Sequence, residues 1–239
     1  MAASPTLVYI PCFSGAPWDL SAFPDLAAWP ALAPALPYGL ETIAGYADWL
    51  ARSVGGLSSY VLVGDSFGAA IALELATRQP SGLQAVVASG GFASNPIRQH
   101  WLASVIRRGQ QLPNAVYSPL VVPFHAWLLR SRFDRDGQWS MRATRQLFRA
   151  HTPAASYWTR ANAALGFDIT ARLDQISVPL LLLTPEDDRL IPDAATSALR
   201  KIPHATEVRL RGTGHMLRYS HPRAYGREVA TFLQARGLQ

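Results

Sequence analysis

Three segments of this chain carry residues suited to one chemistry, the attack of an activated hydroxyl on a carbonyl carbon. The first is Gly64-Asp65-Ser66-Phe67-Gly68, a G-x-S-x-G string. A serine hydroxyl is a weak nucleophile until a neighbouring base takes its proton. The second is Leu180–Pro192, LLLLTPEDDRLIP, where an apolar run ends in carboxylates. Asp187 and Asp188 both qualify to orient an imidazole and stabilise its charged form. The third is Gly212-Thr213-Gly214-His215. Two glycines before a histidine predict a tight loop that carries an imidazole. His100, His125 and His151 fall in a central stretch suited to lining a pocket, whereas His204 and His221 adjoin prolines and read as turn residues.

Each segment must be delivered by an element that ends near the others. Ser59–Gly64 is a continuous apolar run, as expected of a strand buried on both faces. It leads directly into Ser66, and Phe67–Arg78 follows as an Ala/Leu-rich helix. A nucleophile held on a sharp strand-to-helix turn needs that placement, and flanking glycines leave room for it. Further strands are predicted at Thr6–Pro11, Ala31–Leu36, Leu83–Ala88, Val178–Thr184 and Thr206–Leu210, with Pro34 weakening the second. Helices are predicted at Glu41–Val54, Pro192–Lys201 and Ser220–Ala235. Strands alternating with helices argue for an α/β fold, a mostly parallel sheet with helices on both faces. Carboxylates after a buried strand then lie at the sheet's C-terminal edge, where such folds bind ligands.

The stretch Asn95–Leu165 breaks the alternation. It holds Trp101, Trp127, Trp139 and Trp158 and is divided by Pro113, Pro119, Pro123 and Pro153. It reads as several short helices inserted as a cap over the ligand edge. The expected organisation is a core of residues 1–93 and 166–239 with a helical cap, residues 94–165, inserted in it.

Composition narrows the classes. With 239 residues, 49% hydrophobic and 16% charged, the chain can bury a large core, which excludes global disorder. Cys12 is the only cysteine, so no intrachain disulfide forms and a cytoplasmic location is favoured. The first eleven residues carry no Lys or Arg and too short an apolar run for a signal peptide. No run approaches the roughly 20 apolar residues of a membrane span. Zinc spacing, a GxxxxGK[ST] loop and a GxGxxG loop are all missing, so neither a metal nor a cofactor is expected.

The net charge of +6 is carried almost wholly by arginine, Lys201 being the single lysine. Nucleic-acid binding is not expected, because no helix-turn-helix, RNP-like or zinc-finger pattern accompanies the charge. The charge sits in the predicted cap. Arg98, Arg107, Arg108, Arg130, Arg132, Arg135, Arg142, Arg145, Arg149 and Arg160 face only Asp134 and Asp136 there, and the rest of the chain is slightly acidic. The sharper expectation is that this surface steers an acidic substrate or acidic carrier protein toward Ser66.

The order Ser66…Asp188…His215 resembles that of the α/β-hydrolase superfamily. Pro185–Pro192 is similar to the family's G-x-x-D-x-x-x-P pattern, with Pro185 in place of Gly, and its register selects Asp188 over Asp187. Gly214-His215 and His221-Pro222 resemble its G-H…H-P ending. The resemblance implies a Ser66-His215-Asp188 triad that cleaves a carboxylic ester or thioester through an acyl-enzyme. It also implies an oxyanion hole. Pro11-Cys12-Phe13 stands where the family has His-Gly and then the donor, so the donors are the Phe13 and Phe67 N–H groups. Cys12 in the glycine place and Asp65 beside the nucleophile depart from the family pattern; Cys12 is expected to pack below the hole and Asp65 to hydrogen-bond under the turn. The chain begins almost at its oxyanion strand, so a trimmed sheet of about six strands is expected. Cys12, Trp127, Trp158 and Met216 are the expected pocket residues. The same triad also serves hydrolase-fold receptors with little turnover, C–C hydrolases and perhydrolases, because function lives in the pocket rather than the fold. The arginine-rich cap, with Arg142, Arg145 and Arg149 foremost, is similar to that of biotin-pathway esterases acting on carrier-bound methyl esters.

Overall fold

A computed structural model describes residues 4–128 and 140–239. Its sheet contains β1 (Thr6–Ile10), β2 (Ala31–Leu32), β3 (Tyr60–Asp65), β4 (Leu83–Ser89), β5 (Leu180–Pro185) and β6 (Ala205–Leu210). Their order is β2-β1-β3-β4-β5-β6, and every pairing is parallel. β3 lies near the middle and all its residues are buried.

Side chains alternate across a strand, so one apolar run feeds two cores. Val8, Ile10, Leu62, Val86 and Leu182 face α1 (Ile43–Val54) and α2 (Phe67–Ala76). Leu7, Tyr9, Val61, Val63, Val87 and Leu183 face the opposite side, where the C-terminal helix packs. Thr42 caps α1 by accepting the Gly45 N–H at 3.0 Å. The helix then buries Ile43, Tyr46, Ala47, Leu50 and Val54, the helical spacing of one apolar face.

Prolines explain most departures from the predicted bounds. β2 stops at Leu32, two residues before Pro34. β5 begins after Pro179, which has no N–H to give but accepts the Val86 N–H at 2.9 Å. The helix predicted at Pro192–Lys201 is a short α8 (Asp193–Thr196) continued as a 3₁₀ turn, Ser197–Lys201. The last predicted helix, Ser220–Ala235, is α10 (Pro222–Gln234), which Pro222 opens at its first position, and a short α9 (Leu217–Ser220) precedes it.

Between β4 and β5 lie α3 (His100–Gly109), α4 (Asn114–Val116), α5 (Val122–Leu128), α6 (Met141–His151) and α7 (Ala154–Leu165). Pro113 and Pro153 precede helices as expected. Pro119 and Pro123 do not divide helices. They sit where a π-helical turn, Tyr117–Val121, runs straight into α5. The wider ladder, with the Val122 N–H on the Tyr117 carbonyl, re-registers the bonds between two residues, one of which, Pro119, falls within that turn and cannot donate. Trp139, Arg130, Arg132, Arg135, Asp134 and Asp136 lie outside the described residues. Among the described residues no helix is long and apolar enough to cross a membrane.

Candidate active site

Four loops at the C-terminal ends of parallel strands build the site. Ser66 follows β3, Asp188 follows β5, His215 follows β6 and Phe13 follows β1. Ser66 has φ 54° and ψ −112°, a conformation that destabilises a non-glycine residue by about 1–3 kcal/mol. Its surroundings hold it there. The Ser66 N–H bonds the Ser89 carbonyl at 2.8 Å, and α2 begins at the next residue. The flanking glycines are steric requirements. A Cβ on Gly64 would come within 2.5 Å of the Gly68 carbonyl oxygen, and one on Gly68 would collide with the Ile10 and Pro11 carbonyls.

His215 lies between the other two side chains. Its Nε2 is 2.9 Å from the Ser66 Oγ, and its Nδ1 is 2.9 Å from the Asp188 Oδ2. With Asp188 ionised, Nδ1–H donates to the carboxylate, which leaves Nε2 to accept the serine proton. The second Asp188 oxygen accepts the Leu190 and Ile191 N–H groups, each at 2.9 Å. Burial alone would raise the Asp188 pKa. The charge and hydrogen bond of His215 and the two N–H donors outweigh it and hold the carboxylate below its usual range. Burial likewise opposes charge on His215, but Asp188, with a smaller contribution from Asp65, raises its pKa above the ordinary histidine value. Asp187 turns away and pairs with Arg189 at 3.0 Å. The acid and base loops are tied together: the Glu186 carboxylate accepts the Gly212 N–H at 2.8 Å, and the Asp187 N–H donates to the Thr213 carbonyl at 3.1 Å.

Asp65 hydrogen-bonds beneath the turn. It accepts from the Ser89 hydroxyl and from Arg218 Nε, both at 3.0 Å. Arg218 is buried, packs 4.0 Å from the ring centroids of Trp18 and Tyr219, and donates to the Tyr219 hydroxyl. Burial works against its charge, while Tyr219, Asp65 and Cys12 lift its pKa well above even the usual arginine range. Cys12 Sγ stands 3.6 Å from both Arg218 Nη2 and the Tyr219 hydroxyl. Cys12 is thus packed against buried Arg218 and partly buried Tyr219, at the wall of the site.

Above Ser66 opens a cavity of about 490 Å³ lined mainly by apolar and aromatic side chains. Phe13, Ile106, Phe148, Tyr157 and Leu190 form much of its wall. Cys12, Trp158 and Met216 line it as expected. Trp127 does not. It is 47% exposed and packs beside Phe124, while α5 gives Phe124 and His125 to the cavity. His125 lines the cavity and meets the Tyr157 hydroxyl at 2.9 Å; burial lowers its pKa to about 4. His100 is exposed and His151 lies off the cavity. Phe13 and Phe67 line the cavity beside Ser66, and the Phe67 N–H belongs to the first turn of α2, where no helical partner is available. A smaller cavity, about 220 Å³, lies behind Asp188 among the ion-paired Arg200, Asp193 and Glu207, and neither Ser66 nor His215 lines it.

The arginine-rich surface needs correction. Arg160 has no exposed surface, and Arg145 is partly buried with its Nε lacking a partner. Arg98, Arg107, Arg108, Arg142 and Arg149 are exposed. The apolar periodicity of α7 does not reveal that Arg160 turns inward. Arg218, Tyr219 and Tyr157 also escaped sequence reasoning, since each acts through contacts with residues distant in the chain.

The chain is 29% identical over 181 residues to the biotin biosynthesis bifunctional protein BioHC of Cellvibrio japonicus, a match covering 73% of this chain and 35% of that protein. It is 25% identical over 202 residues to a proline iminopeptidase of Chitinophaga pinensis, covering 74% and 66% respectively. The chain therefore spans about a third of the first relative and about two thirds of the second. Among solved structures, the enol-lactonase of Burkholderia xenovorans superposes with a TM-score of 0.75 at 18% identity, over 98% of this chain and 92% of that one. An α/β hydrolase from a Medee basin deep-sea metagenome gives 0.77 at 17% identity, over 97% and 90%. The sequence pattern of the alpha/beta hydrolase family matches residues 7–228, and the chain belongs to that family.

Proposed function

We propose that the chain is a serine hydrolase that cleaves a carboxylic ester or thioester through an acyl-enzyme on Ser66. The observation that carries this reading is the Ser66–His215–Asp188 relay, two contacts of 2.9 Å opening into an apolar cavity. His215 Nε2 takes the Ser66 proton as Oγ attacks the carbonyl carbon. Asp188 stabilises the imidazolium that results. The Phe13 and Phe67 N–H groups bind the tetrahedral oxyanion. His215 then gives its proton to the departing alcohol or thiol. Water, deprotonated by His215 in turn, releases the acid and frees Ser66.

The wall favours an apolar acyl group of modest length, since about 490 Å³ is within the range of small-ligand pockets. As a finer proposal, an acidic carrier presents the ester, drawn by exposed Arg142 and Arg149 beside partly buried Arg145. Support comes from the charge of the inserted helices and from the similarity to a biotin biosynthesis protein. Added salt is then expected to lower kcat/KM for a carrier-bound ester but not for a free one. A flat salt response, or full activity after charge reversal at Arg142 and Arg149, removes the carrier.

The test of the main reading is p-nitrophenyl ester hydrolysis together with fluorophosphonate labelling. Hydrolysis and labelling are expected in the parent and absent in Ser66→Ala. Equal hydrolysis by both proteins overturns the reading. Tight binding of one ligand with negligible turnover across esters, thioesters and amides would replace it with a receptor role.

A further inference from the structure

Arg160 reaches from α7 into the loop after β1. Nη1 donates to the Phe13 carbonyl at 3.0 Å and the Ser14 carbonyl at 2.9 Å, while Nε donates to the Tyr46 hydroxyl at 3.3 Å. The side chain is fully buried, and its Nη2 finds no hydrogen-bond partner. Among the described residues no carboxylate pairs with it, although Asp65, Glu74 and Asp188 are all paired elsewhere. A buried cation with neither a counter-ion nor a full set of acceptors destabilises a fold. Hydrophobic packing would serve stability better there, so its position points to another use.

Its neighbours show what that use is. The Phe13 ring stands edge-on to Phe67 at 6.0 Å, and Tyr46 stands edge-on to Phe67 at 5.3 Å. One guanidinium therefore holds the backbone of one proposed oxyanion donor and the side chain that packs against the other. The Thr152 hydroxyl reinforces the grip on the Ser14 carbonyl at 2.7 Å. Gly15 makes room. It sits at φ 77°, and a Cβ there would come within 2.5 Å of Arg160 Nη1. The Cys12 carbonyl accepts the Gly15 N–H at 2.9 Å and closes the turn that Arg160 grips.

We infer that Arg160 is a positioning residue that clamps the Phe13–Ser14 segment so that the Phe13 N–H meets the developing oxyanion. The inserted helices thereby contribute to the geometry of the reacting centre as well as to the pocket wall. This inference rests on the acyl-enzyme reading above.

The test compares Arg160→Met, which keeps an unbranched apolar stem but removes the guanidinium, and Arg160→Lys with the parent. The readouts are kcat and KM on p-nitrophenyl butyrate, and affinity for an alkylboronic acid, which forms a tetrahedral adduct on the serine. In Arg160→Met, kcat is expected to fall roughly 10- to 100-fold with KM within about threefold, less than the loss of a whole oxyanion donor. Boronate affinity falls with kcat, and Arg160→Lys, still able to reach one carbonyl, recovers part of both. Unchanged kcat and boronate affinity in folded Arg160→Met overturns the clamp. So does a rise in KM alone, the signature of a residue that only packs. Should Arg160→Met fail to fold, Arg160→Lys decides by the same two readouts. Fluorophosphonate labelling of the parent separates the two claims. An unlabelled parent removes the acyl-enzyme reading and the clamp with it, whereas a labelled parent whose Arg160 variants match it removes the clamp alone.

Discussion

Backbone hydrogen bonds hold Ser66, Asp188 and His215 at the sheet edge, whereas the outer wall of the cavity is held by side-chain contact among helices that stay half in solvent. The Ser66 N–H, both oxygens of Asp188 and the loops bearing Asp188 and His215 are all tied to neighbouring backbone or to one another. Every residue of α2 is buried. By contrast α3 buries only Ala103, Ile106 and Gly109, and Leu120 and Phe124 on the cavity wall are 64% and 59% exposed. The sheet edge thus presents a geometry that tolerates little change. The helical wall presents a shape that changes with each side chain. On the proposed function, the bond-making groups belong to the first and ligand preference mainly to the second.

Removing chemistry from the rigid side gives the largest expected effect. Ser66→Ala should lower kcat by about 10⁴-fold or more while thermal unfolding moves by no more than a few degrees; substantial residual kcat would break the contrast at once. Asp188→Asn should follow at about 10³- to 10⁴-fold, since the amide misorients the imidazole and no longer balances its charge. Steady-state rates with purified, folded variant check it.

Packing on the same side comes next. Gly68→Ala drives a methyl group into the Ile10 and Pro11 carbonyls. A loss of about 3 kcal/mol or more in urea unfolding is expected, since β1 and α2 must separate at the crossing. A loss below about 1 kcal/mol would show that the crossing yields more readily than its backbone ties suggest.

The pH profile sharpens the electrostatics. In the proposed mechanism the attacking form needs neutral His215, and Asp188 raises the pKa of that imidazole. The acid limb of kcat/KM should therefore fall tenfold per pH unit, with its inflection above the ordinary histidine value of about 6.5. His125, held down to about 4 by burial, titrates well below that inflection. An inflection below 6 would contradict the pairing.

The smallest effects belong to the wall. Phe124→Ser or Leu120→Ser should alter stability by under about 1 kcal/mol. The ratio of long-chain to short-chain ester turnover should still shift several-fold. An unchanged ratio would mean that neither residue meets the acyl group.

Ser66, Asp188 and His215 were legible because each follows the end of a buried strand, where apolar runs, glycine and proline report the local backbone. The choice of Asp188 over Asp187 rested on the resemblance to the family pattern that ends at Pro192, and in the structure the two aspartates face different partners. Trp127 was misplaced because the composition of a helix does not reveal which face meets the cavity. Arg160 was read as part of a basic surface for the same reason. It lies 146 residues from Ser14 in sequence and 2.9 Å from its carbonyl in space. Periodicity and motif determine elements and their ends because the forces behind them act within a few residues. The partner of a buried arginine, the neighbour of Cys12 and the shape of the cavity depend on which faces meet after the sheet is assembled. Those contacts bring together residues far apart in the chain, and only the tertiary structure decided them.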